Sequence, residues 1–203
     1  MKKTILILAA ILLATAVSAQ NHEKNILGVR AGLNLSSISV SAGGASASTD
    51  SRAAFHVAVV DQILLCNKLP FYLETGLGLS SRGGKVDGTT MRPLYLQVPV
   101  LVNYHFNIKD VVTIQPFAGL YYGFGIGGKG KTGGEKGDIF GDDGGFKRSD
   151  LGVRLGAGVV WNRIYFGLGY DIGCLNLLKD EVFDGADIKM RNNCFTISVG
   201  YNF

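Results

Sequence analysis

The chain has 203 residues, 29 of them glycine and only four proline, with a formal charge of +4. Glycine at roughly twice the ~7 % background, with frequent aromatic and β-branched residues, does not describe a helical protein. Beyond the N-terminus no run reaches the ~18 uninterrupted apolar residues of a membrane helix, so a membrane-spanning form must cross with strands.

The N-terminus reads as a secretion signal. Met1-Lys2-Lys3 is a short basic start, Ile5 to Val17 is an apolar h-region, and Val17-Ser18-Ala19 is a small-residue cleavage site. Residues 1–19 are therefore expected to be a cleaved signal peptide, and residues 20–203, from Gln20, the one mature domain. No cysteine follows the cleavage point, which argues against a lipoprotein. Losing Lys2 and Lys3 takes the charge from +4 to +2 (4 − 2), with no basic run; nucleic-acid binding has no support.

Eight segments then alternate apolar with small or polar residues at period two, the mark of a strand with two different faces. They are expected at 25–36, 53–65, 69–81, 92–106, 111–125, 149–161, 163–175 and 193–203. The connections alternate strictly between long and short. Long ones run from Ser37 to Arg52, Arg82 to Met91, Ile126 to Arg148 and Asn176 to Asn192. Short ones lie at Cys66-Asn67-Lys68, Asn107-Ile108-Lys109-Asp110 and Asn162. An up-and-down meander puts all the long connections at one end and both termini at the other. That is the pattern of an all-β, eight-stranded antiparallel transmembrane barrel, with short periplasmic turns and long external loops.

The two faces agree. In the first strand Leu27, Val29, Ala31, Leu33 and Leu35 oppose Gly28, Arg30, Gly32 and Asn34; in the sixth, Leu151, Val153 and Leu155 oppose Gly152, Arg154 and Gly156. A soluble barrel would hide its apolar face, whereas in lipid the apolar face meets hydrocarbon and the polar face lines the lumen. Eight strands leave an interior just wide enough to fill with side chains, so inward glycines make room for long residues. Arg30, Glu74, Arg154 and Asp171 fall on the inward parity and form the candidate lumenal charge network, with Gln97, Gln115 and Asn103 as supporting partners. It is a structural plug, because four unpaired buried charges would be too costly. Outward aromatics form a girdle at the terminal end, Phe71, Tyr104, Phe106, Trp161, Tyr201 and Phe203; Phe55, Tyr122, Phe124 and Phe195 mark the other rim.

Several segments carry a family resemblance. They are Ser18-Ala19 before Gln20, Pro93-Leu94-Tyr95-Leu96-Gln97-Val98-Pro99, Gln115-Pro116-Phe117-Ala118-Gly119, the run from Asp150 to Gly158, and the end Tyr201-Asn202-Phe203. Over nearly all of its mature length the chain resembles the PorT-like outer-membrane β-barrels of Bacteroidetes. The resemblance implies an integral outer-membrane protein inserted by the barrel-assembly machinery, with an alternating, aromatic-ended last strand as the recognition signal.

No residue set points to catalysis, a metal or a cofactor. The three histidines are His22, His56 and His105. Only His56, with Ser51 or Asp50 near the external rim, imitates the site of a lipid-modifying barrel enzyme. Gly127-Gly128-Lys129-Gly130-Lys131 lacks the order of a phosphate loop. Glu135, Asp138, Asp142 and Asp143 read as a solvated loop. Cys174 and Cys194 flank the last long connection but fall on opposite parities, against a disulfide. The expected function is a non-enzymatic structural or interaction role, with a plugged lumen and external loops exposed. Its partners are outer-membrane lipids and, through the loops, a protein. The alternatives are a lipid-modifying enzyme and a component of a transport or secretion assembly.

Overall fold

The structure, a computed structural model, describes residues 25–43, 45–65, 69–86, 88–108, 111–132, 135–140, 145–179 and 188–203. The signal segment, His22, the turn at residues 66–68 and the acidic pair 142–143 lie outside the described residues. In chain order the strands are β1 (Asn25–Ala42), β2 (Ala45–Ser48), β3 (Asp50–Leu64), β4 (Phe71–Ser81), β5 (Gly84–Val86) and β6 (Thr89–Tyr104). They continue as β7 (Phe106–Ile108), β8 (Val112–Thr132), β9 (Glu135–Asp138), β10 (Ser149–Trp161), β11 (Ile164–Gly173) and β12 (Ile188–Asn202).

Eight long strands make the wall in the order β1-β3-β4-β6-β8-β10-β11-β12, every neighbour antiparallel. β12 pairs back onto β1 from Gly28↔Asn202 to Ala42↔Ile188, which closes the ring. Closure leaves the wall no edge strand, so its backbone groups find partners within the sheet, as hydrocarbon requires. The short strands β2, β5, β7 and β9 are accessories on this ring. Between β10 and β11 the chain reverses through Asn162 and Arg163, at φ 45° and 70°. Two consecutive positive φ values mark a type I′ turn, whose twist matches that of the flanking strands.

Side-chain alternation follows the expected parity. On the outside Leu33 is 55 %, Leu120 54 % and Leu168 54 % exposed, an apolar surface suited to lipid rather than water. Inside, Asn34, Gln62, Asp150 and Asp171 are fully buried. The six terminal-end aromatics all lie on the outer face or the rim. Phe71 meets Tyr104 edge-on with centroids 4.8 Å apart, Tyr104 and Phe106 are 4.3 Å apart, and Tyr201 and Phe203 5.3 Å.

Two expectations change. First, much of the chain assigned to long connections is strand. β1 continues to Ala42 and folds back as β2, β8 runs on to Thr132 and folds back as β9, and β12 begins at Ile188 rather than near 193. The backbone in these extensions keeps its ladder partners, so the barrel projects beyond the apolar band. Second, the interior is not polar throughout. At this far end Ile38, Tyr95, Ile139, Phe140, Phe146 and Leu177 form a buried apolar cluster, flanked by Val40, Met91 and Met190. Beyond the lipid the wall's exterior meets water: Ser39, Ser41, Lys129 and Lys131 point outward there, and the apolar residues turn inside, as in a soluble barrel. Gly125 and Gly128 seat this stopper. A Cβ at Gly125 would lie 2.6 Å from the Phe140 ring, and one at Gly128 would lie 2.6 Å from Ile139.

In detergent micelles the amides of residues 39–42 and 127–131 should exchange with solvent much more slowly than that of Gly43 at the hairpin tip, read by mass spectrometry. Exchange as fast as at the tip would mean that these segments are loops.

Candidate functional site

The inward residues of neighbouring strands converge in the lumen. Arg154 on β10 and Asp171 on β11 are direct cross-strand partners. Arg154 grips the carboxylate with both prongs of its guanidinium, Nε donating to Oδ1 at 2.6 Å and Nη2 to Oδ2 at 2.8 Å. Bidentate pairing fixes geometry as well as charge. Arg30 and Glu74 are not ion-paired with each other. Arg30 lays its guanidinium over the Tyr165 ring, 3.8 Å from the centroid, and donates from Nη1 to the Val29 carbonyl at 3.1 Å. Glu74 accepts from Gln62 Nε2 at 2.6 Å and from Asn103 Nδ2 at 3.1 Å. The four sequence-derived residues thus fall into one charge pair and two separately held ions.

The centre of the network is a residue that sequence reasoning placed in a loop. Arg82 follows β4, yet its side chain turns into the lumen and is fully buried. It pairs with Asp171 through Nη2, donates from Nη1 to the Tyr121 hydroxyl at 3.1 Å, and has Nη1 3.8 Å from Asp150 Oδ2. The Gln97 amide, with its oxygen toward Arg82, accepts from Nε at 3.2 Å and Nη2 at 2.7 Å. Asp171 is therefore held between two guanidiniums. Asp150 also accepts from Asn192 Nδ2 at 3.0 Å, and Asn192 is 3.3 Å from the Tyr95 hydroxyl, where the polar network meets the apolar stopper. Arg82 breaks the period-two count because it leaves the strand, so parity gave no signal for it. The usable signal was a lone arginine between Ser81 and Gly83 at a strand end.

Inward glycines make the volume for these groups. A Cβ at Gly152 would lie 2.6 Å from the Tyr121 ring, and one at Gly28 2.6 Å from Arg30 Nη1. Toward the terminal end Tyr72 and His105 stack with ring centroids 3.9 Å apart.

His56 is lumenal and has neither Ser51 nor Asp50 as partner. Its Nδ1 is 2.8 Å from Asn34 Oδ1 and its Nε2 3.0 Å from Ser198 Oγ. The two N–H groups of Asn34 Nδ2 are shared among the Phe55 carbonyl, Ser80 Oγ and the Ser81 carbonyl, which leaves Oδ1 to face the imidazole. The proton therefore sits on Nδ1, and Ser198 donates to Nε2. The chemical types match a nucleophile relay, but the chamber beside it is only about 70 Å³, lined by Arg30, Glu74, Arg154 and Tyr165. Among the described residues the Arg82 cluster and the stopper lie between it and the far mouth. Cys174 is exposed and Cys194 buried, and both thiols are free. Among the described residues no group of three or more His, Cys, Asp or Glu has metal-holding geometry.

A family model described as outer membrane protein β-barrel domain matches residues 7–203. Among solved structures the chain is similar to Ail, the attachment invasion locus protein of Yersinia pestis, at 15 % identity over 90 % of this chain and 100 % of that one, with TM-score 0.44. It is similar to neisserial surface protein A (14 % identity, 87 % and 97 % covered, TM-score 0.48). A third likeness is to the N-terminal β-barrel domain of Pseudomonas aeruginosa OprF (12 % identity, 87 % and 97 % covered, TM-score 0.37). No match was found among curated proteins.

Asp171→Ala leaves Arg82 and Arg154 buried without their carboxylate and should cost about 3–5 kcal/mol in reversible urea unfolding. Glu74→Gln keeps its amide neighbours bonded and should cost about 1 kcal/mol. Equal losses for the two variants would show that the guanidinium pairing is not the stronger constraint.

Proposed function

We propose that this chain, which belongs to the family of outer membrane protein β-barrel domains, is a closed, non-enzymatic outer-membrane barrel that displays its far-end hairpins outside the cell. The observation that carries this reading is the double closure of the lumen. Arg82, Asp171 and Arg154 lock across it, and the stopper of Ile38, Phe140, Phe146 and Leu177 sits over them. Arg30, Glu74, Arg154 and Asp171 have a structural role here, together with Arg82 and Asp150. A guanidinium–carboxylate lock inside a narrow barrel holds the wall rigid and denies ions a path.

Residues 1–19 act as the secretion signal, and the termini face the periplasm. The barrel-assembly machinery inserts the chain, reading the alternating last strand that ends Tyr201-Asn202-Phe203. The girdle of Phe71, Tyr104, Phe106, Trp161, Tyr201 and Phe203 seats the wall at the inner interface, since amphipathic rings prefer that depth. Within the family we place the chain with the PorT-like barrels, on the segments Pro93–Pro99 and Gln115–Gly119. The hairpins β1–β2 and β8–β9 then stand on the external side as the surface through which partners are met.

Planar-bilayer recordings of the purified protein should show no steady conductance. Stable ohmic channels would reject the plugged barrel. N-terminal sequencing of protein taken from outer membranes should begin at Gln20, and a chain starting at Met1 would remove the signal peptide.

A further inference from the structure

The two projecting hairpins end in different kinds of edge. β9, which among the described residues pairs only β8, has the sequence Glu135-Lys136-Gly137-Asp138. Charges on an edge strand are the usual defence against addition of a further strand. β2 stands at the end of the sheet order and has the sequence Ala45-Ser46-Ala47-Ser48, every residue exposed. From Ser36 to Thr49 there is no charge and no proline. The side chains are too small to screen the backbone, so this edge lacks the devices that keep free strands apart.

The ladder shows which backbone groups are free. Thr49 N–H donates to the Ile38 carbonyl at 2.9 Å, in the same register that pairs Val40 with Ala47 and Ala42 with Ala45. In an antiparallel ladder every second pair exchanges hydrogen bonds, so residues 45, 47 and 49 bond inward to β1. The N–H and C=O groups of Ser46 and Ser48 therefore face an edge that no strand among the described residues covers. Their hydroxyls turn to one face, where Ser46 meets Ser41 at 3.0 Å and Ser48 meets Ser39 at 3.3 Å.

We propose that the β2 edge is a homotypic pairing site, at which the hairpin adds to the β2 edge of a second copy carried by an apposed membrane. A two-fold axis through Ala47 sets Ser46 opposite the partner's Ser48 and Ser48 opposite the partner's Ser46. Both are free-edge residues, so the two pairs exchange roughly four hydrogen bonds. Along the paired strands only alanine and serine side chains meet. Symmetry selects the apposed membrane. Two copies in one membrane share their orientation, which makes their β2 strands parallel and spoils this exchange. Copies in facing membranes are inverted, and their β2 strands run antiparallel. One such contact is weak, and many between two surfaces are not.

The inference rests on the reading of the hairpins as an external display, and the two fail separately. An epitope inserted after Gly43 should be stained on intact cells; its absence there would remove the display and, with it, pairing between cells. Pairing itself is tested on purified protein reconstituted in phosphatidylcholine vesicles, with clustering followed by dynamic light scattering. Wild-type vesicles should at least about double in mean diameter through multivalent contact. Ser46→Pro and Ser48→Pro remove free-edge donors at positions where an edge strand tolerates proline, so the barrel should keep its heat-dependent gel shift while clustering is lost. Dispersed wild-type vesicles, or proline variants that cluster like wild type, would overturn the proposal.

Discussion

Backbone hydrogen bonding in hydrocarbon is the constraint from which the rest of this molecule follows. A peptide group has no water to turn to within the bilayer, so a sheet that crosses must close on itself. Here closure is the pairing of β12 with β1 along fifteen residues, from Gly28↔Asn202 to Ala42↔Ile188. Once eight strands form a ring, the outward parity must be apolar and the inward parity must fill a narrow bore. Leu33, Leu120 and Leu168 outside and Asn34, Gln62 and Asp171 inside are two consequences of one requirement.

A narrow bore with a polar lining sets a charge problem, and the lumen answers it by matching. Arg30, Arg82 and Arg154 face Glu74, Asp150 and Asp171. The matching is uneven in space. Asp171 takes two guanidiniums, Asp150 sits 3.8 Å from Arg82 with an amide for support, and Glu74 is held by amides alone. Arg30 rests on the Tyr165 ring. Truncating one member of a tight buried pair strands the other charge, whereas removing an ion held by neutral dipoles leaves groups that can still bond. The stiff part of the lumen is therefore the Arg82–Asp171–Arg154 bridge, and it ties the chain just after β4 to β10 and β11 on the far side of the ring.

The eight wall strands were legible because alternation with period two is a direct imprint of two different solvents on the two faces of a sheet. The tight turn at Asn162 and the outward parity of the terminal-end aromatics were legible as well. What alternation could not report was where the second solvent changes. Beyond the apolar band the alternation inverts, with Ser39 and Ser41 outside and Ile38 and Val40 inside, and such a small-residue stretch reads as loop although its ladder is intact. The stopper was hidden similarly. Ile139, Phe140 and Phe146 belong to a connection with no periodicity, and only tertiary packing against Ile38 and Tyr95 shows that they face inward. Arg82 escaped because it does its work from outside a strand. The site was half legible: parity found Arg154 with Asp171, but nothing local separates a charge that meets its opposite from one, like Arg30, that meets a ring.

Glycine links these observations. Each glycine inside a strand weakens the sheet by about 0.5–1 kcal/mol relative to alanine, because the unfolded chain loses more freedom on folding. A barrel that needed only to close would not carry so many on one parity. At three of these positions a large lumenal group takes space that a Cβ would fill, Gly152 beside Tyr121, Gly28 beside Arg30 and Gly125 beside Phe140, while at Gly76 and Gly119 the close neighbour is the backbone of the adjoining strand. An alanine at Gly125 would set its Cβ 2.6 Å from the Phe140 ring, and one at Gly152 would meet both the Tyr121 ring and the Ile172 carbonyl of the neighbouring strand, whereas at Gly28 the near atom is the movable end of Arg30. Wall and filling are therefore one packing problem, in which the strands give up intrinsic stability so that arginine and aromatic side chains can occupy the bore. The loss is recovered only when the lumen is complete, which makes the plug part of what holds the barrel together.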